Sequence, residues 1–133
     1  MLAACLALLA VPAAAGAHEA VAPASATLAV TGEPRPDTLA IGGALATTAA
    51  CRAGREVHVF ARYWEWTHRH VWGPGQWRSA GRTRTADDGS FAGAVQKQNL
   101  WSVKAVIPIR STEARDHHHA CGRAVAAFRL EQD

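Results

Sequence analysis

Four of the five tryptophans in this chain fall between Trp64 and Trp77, beside its single tyrosine, Tyr63. Large rigid rings at that density can stack on sugar rings, on apolar ligands or on a protein partner, because they give contact area at little entropic cost. Tyr63, Trp64, Trp66, Trp72 and Trp77 are therefore candidate ligand-binding residues. If the segment is extended, Trp64 and Trp66 share a face, and two indoles line one surface. The competing reading is that the rings stack across a hairpin and pack on Arg62, Arg69 or Arg78, stabilising a long ribbon.

Histidine is the second candidate. His117, His118 and His119 follow Asp116, and His68 and His70 sit within the aromatic stretch. Neutral imidazole binds Zn²⁺ or Cu²⁺, so His117, His118 and His119 are candidate metal ligands. Three consecutive histidines in a loop cannot all point one way, and a solvated polar loop is the competing reading. His58, alone on a strand, reads as a packed or surface residue. Asp87, Asp88 and Ser90 supply too few oxygens for Ca²⁺, which takes 6–8, and read as a turn. No Gly-x-Ser-x-Gly and no Gly-rich phosphate loop is present, and no spacing of Ser, His and Asp implies a triad. The expectation is a protein that is not an enzyme and needs no cofactor.

The elements that must position these residues follow from period and turn chemistry. Thr27 to Thr31 is a short strand with Leu28 and Val30 on one face. Leu39, Ile41, Gly43 and Leu45 alternate with smaller residues, again a strand. Ala49 to Gly54 is a turn carrying Cys51. Arg55 to Trp66 is the longest strand, with Val57, Val59, Ala61 and Tyr63 on one face and His58, Phe60, Arg62, Trp64 and Trp66 on the other. Thr67 to Gln76 reads as a long loop whose Gly73-Pro74-Gly75 marks the sharp turn. Trp77 to Thr85 returns. Asp88-Gly89 is a tight turn, since glycine takes positive φ without cost. Phe91, Gly93 and Val95 form the next strand. Trp101, Val103, Ala105, Ile107 and Ile109 alternate most cleanly. Arg110 to Ala120 is a polar loop, and Arg123 to Glu131 closes the domain with Ala124, Ala126, Phe128 and Leu130 inward. About seven short strands with turns between them predict an all-β, antiparallel β-sandwich over 27–131.

Met1 to Ala17 is an apolar run ending in Ala15-Gly16-Ala17, a small-x-small cleavage pattern, and reads as a signal peptide rather than an anchor. No Lys or Arg precedes it, which leaves open a true start upstream of Met1. Cys5 belongs to this leader, and 18–26 is an Ala/Pro-rich flexible lead-in. An exported chain with Cys51 and Cys121 remaining is expected to join them. Alternating strand direction brings the Cys51 turn and the Cys121 loop to the same end, which permits the bond. The same parity puts the aromatic stretch and the His117–His119 loop at opposite ends. A formal charge of +3, from 14 basic and 11 acidic residues, is spread along the chain without a basic run, and does not argue for nucleic acid. No membrane span is expected once the leader is removed.

Cys51, Gly54, Arg55 and Val57, then Thr85, Asp88, Gly89 and Phe91, then Cys121, resemble the pattern of small immunoglobulin-like or carboxypeptidase-regulatory-like domains of exported bacterial proteins. The resemblance covers roughly Leu39 to Leu130. It implies an immunoglobulin-like sandwich with one disulfide, acting as an adhesive, spacer or recognition module. The aromatic segment from Tyr63 to Trp77 and the His-rich loop depart from that pattern. The expected function is a secreted recognition or structural module of the cell envelope or exterior, taking a protein or carbohydrate ligand through 63–77. The alternatives are a His-based metal-binding protein and a secreted inhibitor that inserts 67–76 into an enzyme cleft.

Overall fold

Val57, Val59 and Ala61 are buried almost completely while their neighbours are half-exposed, the period of two that a strand with one covered face imposes. That strand, β3 (Glu56–Trp66), is the centre of the larger sheet. The computed structural model describes residues 23–114 and 117–131, with the side chains of 112–119 left aside. Within it lie β1 (Thr27–Pro34), β2 (Thr38–Ala46), a one-turn helix α1 (Ala49–Arg52), β3, β4 (Trp72–Pro74), β5 (Arg78–Arg84), β6 (Ser90–Gln96), β7 (Leu100–Ile107), β8 (Arg110–Ala114), β9 (His117–Cys121) and β10 (Ala124–Arg129).

The strands form antiparallel sheets. One has the order β1-β2-β6; a second has the order β10-β7-β3-β4, with β5 also paired to β3; β8 and β9 form a two-stranded third. One hydrophobic cluster draws Leu28, Leu39, Ile41, Leu45, Phe91 and Val95 from the first sheet. It draws Val57, Val59, Ala61, Leu100, Val103, Ala105, Ile107 and Ala124 from β3, β7 and β10 of the second. All but Leu100 are residues that alternation placed on one covered face; Leu100 takes the place expected for Trp101 because the register shifts there. Gly43 is required here: a Cβ would collide with the Phe91 ring and come within 2.6 Å of the Ala29 carbonyl oxygen. Gly89 turns the chain at φ 87°, as the Asp-Gly pair predicts.

Ten described strands replace the expected seven, and three segments account for the difference. The Gly73-Pro74-Gly75 region is not the hairpin tip. Trp72–Pro74 pairs with β3 as β4, Trp64 opposite Pro74 and Trp66 opposite Trp72. The turn lies instead at Thr67–Val71, where His70 takes φ 58°. Proline is tolerated in β4 because this strand is a short edge with few ladder bonds to lose. The expected polar loop from Arg110 to Ala120 is a hairpin, with β8 and β9 paired from Arg110–Cys121 to Ala114–His117. β7 ends at Ile107, leaving Ile109 exposed rather than inward.

Cys51 and Cys121 form the disulfide, across a sequence separation of 70. Beside it Arg55 is 1 % exposed. Its Nη1 donates to the Cys51 carbonyl at 3.0 Å, and its Nη2 to the carbonyls of Pro108 and Gly122 at 2.9 and 2.8 Å. Thr85 accepts from the Arg55 backbone N–H at 2.8 Å and donates to the Arg52 carbonyl at 2.7 Å. Burial, and then the charge of Arg110, pull the Arg55 pKa down. Ala24 docks on the same end through backbone hydrogen bonds to Ala120 and Gly122. The expected signal peptide at 1–17 and most of the expected lead-in lie outside the described residues. No helix among the described residues is long and apolar enough to cross a membrane.

Candidate functional site

The aromatic segment divides into an exposed tip and a half-buried base. At the tip, cross-strand pairing sets Trp66 against Trp72 edge-to-face, ring centroids 6.1 Å apart. Trp66 is 58 % exposed, Trp72 60 % and Val71 53 %. The His70 ring stands at 6.4 Å from Trp66. The turn beneath them is fixed by its own hydrogen bonds. Thr67 donates from both backbone N–H and Oγ1 to the Val71 carbonyl, at 2.9 and 3.0 Å, and His70 N–H donates to the Thr67 carbonyl at 3.0 Å.

Trp64 does not join Trp66 on an open face. It is half-buried, tilted against Trp101 at 5.3 Å between centroids, and its Nε1 is buried without a hydrogen-bond partner in the structure. The cause is a register shift. Arg62 pairs with Ser102 but Tyr63 pairs with Leu100, so Trp101 is an extra residue in β7 and its indole turns to the outer face. Tyr63 packs at the edge of the core and donates its hydroxyl to the Gln96 carbonyl at 3.2 Å. Burial raises its pKa. Trp77 is half-buried under Lys104, whose Nζ is 4.4 Å from its ring centroid.

The base is held by cations on rings. Arg62 lies 5.1 Å from the Trp101 centroid and 5.8 Å from that of Trp77, and donates from Nε to the Gly75 carbonyl. Arg129 lies 4.9 Å from Trp101, and Lys104 lies 5.3 Å from Phe60. Trp101, Lys104 and Arg129 belong to this cluster and escaped the sequence reading. They are distant in sequence, and alternation alone assigned Trp101 inward. Of the three arginines proposed as ring partners, Arg62 is one; Arg78 instead pairs with Glu65 at 2.7 Å.

A cleft of about 500 Å³ runs between tip and base, lined by Arg62, Glu65, Trp66, Thr67, Gly75 and Trp77. A smaller cavity of about 300 Å³ is lined by Arg62, Trp77, Trp101, Ser102 and Arg129.

The other candidates lie elsewhere. The side chains of His117, His118 and His119 fall outside the described residues; their backbone forms β9, beside the disulfide. Among the described residues no three His, Cys, Asp or Glu side chains are grouped to hold a metal. Asp88 closes its own turn: Oδ1 accepts from Ser90 Oγ at 2.6 Å and from Ser90 N–H at 2.9 Å. His58 bonds to Glu56 at 2.9 Å, and Glu56 also pairs with Arg82. Comparison with protein-family models, with curated proteins and with solved structures found no match.

Proposed function

We propose that this chain is an exported, non-catalytic recognition module of the cell envelope or exterior. In this reading its two larger sheets form an immunoglobulin-like sandwich that presents the hairpin 63–77 to a protein or carbohydrate ligand. The observation that carries the reading is the pair Trp66 and Trp72, more than half exposed and set edge-to-face on a turn closed by hydrogen bonds. Two indoles held open in this way keep a large apolar area in water, which a stacking ligand would cover. Fixing the turn in advance lowers the entropy lost on binding. The disulfide is in keeping with export, since such bonds persist in oxidising compartments.

The inhibitor alternative drew on Gly73-Pro74-Gly75 as the projecting tip; those residues lie in and just after β4. The metal alternative rests on His117–His119 alone.

The test is binding of the purified protein to isolated cell envelopes and to an array of envelope glycans and proteins, with Trp66→Ala/Trp72→Ala alongside. The double variant should melt at the same temperature and lose at least about thirtyfold in affinity, the equivalent of removing one hot spot. Unchanged binding by the double variant would remove the tip from the function.

A further inference from the structure

The outer face of the larger sheet carries three cations that no described acid neutralises. Register places Arg129 of β10 and Arg62 of β3 on either side of Ser102 in β7, and Lys104 opposite Phe60 one step along. Both guanidinium groups lie against one indole, Trp101, at 4.9 and 5.1 Å from its centroid. Lys104 sits on Trp77 and Phe60. The acids of β3 are committed elsewhere: Glu56 to His58 and Arg82, Glu65 to Arg78. Among the described residues, Arg62, Lys104 and Arg129 have no salt-bridge partner.

Like charges gathered on one face favour a bound anion. The planar fork of arginine matches a carboxylate or sulfate with two parallel hydrogen bonds, and flat indoles beside it match sugar rings. The 300 Å³ cavity and the 500 Å³ cleft share Arg62 and Trp77 in their linings. Two adjacent cavities flanking the same two side chains suit consecutive units of one chain better than a single small molecule.

We infer that this face binds an acidic polysaccharide, its carboxylate or sulfate groups on Arg62, Lys104 and Arg129 and its rings against Trp77 and Trp101. A nucleic acid fits less well. It needs cations that follow a phosphate backbone, whereas Arg62, Lys104 and Arg129 are gathered around Trp77 and Trp101 in one cluster. The inference rests on residues outside the Trp66–Trp72 tip, so the two can fail separately.

The experiment is a titration of tryptophan fluorescence with an oligogalacturonate, with an uncharged oligosaccharide of the same length, and with a single-stranded oligonucleotide. Each is run on the full chain and on Lys104→Gln/Arg129→Gln, both on the sheet surface. The oligogalacturonate should quench with saturation, bind about tenfold more weakly to the double variant, and weaken as salt is raised. The uncharged oligosaccharide should bind more weakly than either. Equal melting temperatures show that the variant folds; if it does not, the single variant Lys104→Gln must still bind more weakly than the full chain, and Lys104→Arg must retain binding. No saturable quenching by the oligogalacturonate, equal affinity in the variant, or tighter binding of the oligonucleotide would each overturn the inference. So would loss of binding in Trp66→Ala/Trp72→Ala with none in the cation variant, a result that would instead favour the tip.

Discussion

Arg55 donates from Nη2 to the carbonyl of Gly122 at 2.8 Å, across 67 residues of chain. Gly122 follows Cys121, and the Nη1 of the same guanidinium holds the carbonyl of Cys51. Arg55 thus ties the two sides of the disulfide together a second time, and adds the β7–β8 connection through Pro108. An arginine suits this place because its planar head carries enough donors to serve three carbonyls at once.

Arg55→Met should therefore be among the most damaging single changes. It leaves the carbonyls of Cys51, Pro108 and Gly122 short of a donor in a buried setting, at a cost of about 3 kcal/mol or more. Urea unfolding of the oxidised protein measures this. Arg55→Lys should recover only part of the loss, since one ammonium cannot reproduce the fork.

Reduction of Cys51–Cys121 should lower stability by roughly 4 kcal/mol on the chain-entropy account for a loop of this length. Denaturant titration of the Cys51→Ser/Cys121→Ser variant against the oxidised parent reads the difference. Because the Arg55 contacts span the same closure, Arg55→Met and the disulfide variant should not be additive.

Gly43→Ala should destabilise by about 1–3 kcal/mol, the range for overpacking a core. The added methyl meets the Phe91 ring on one side and the Ala29 backbone carbonyl on the other. Only the ring can give way, so Gly43→Ala/Phe91→Leu should regain part of the loss in thermal melting.

Asp88 predicts an acid-side effect. Hydrogen bonds from the Ser90 side chain and then the Ser90 backbone hold its carboxyl below the usual aspartate range. A pKa depressed by folding gives stability that is present above the unfolded value and is lost as pH falls through the folded one. Ser90→Ala should move the Asp88 titration upward, read by carboxyl NMR, and flatten the loss of stability on the acid side. An unmoved titration would contradict the assignment.

What the sequence determined by itself was local. Alternation of Val57, Val59 and Ala61, of Leu39, Ile41 and Leu45, and of Val103, Ala105 and Ile107 identifies strands with one covered face, because pleating sends successive side chains to opposite sides. The Asp88-Gly89 turn and the pair Cys51 and Cys121 were equally legible, as each needs only its own residue type. The tertiary structure decided what depends on register. The extra residue in β7 turns Trp101 outward, which half-buries Trp64 and sets Arg62, Arg129 and Lys104 on a shared aromatic face. Cross-strand pairing of β3 with β4 moves the turn to Thr67–Val71 and leaves Trp66 and Trp72 as the two indoles open at the tip. Arg55 stood in the sequence as one letter of a pattern; its three carbonyl partners come from segments 4, 53 and 67 positions away. Periodicity records which face of a strand is covered, but only the packed chain brings distant strands into the register that fixes their partners.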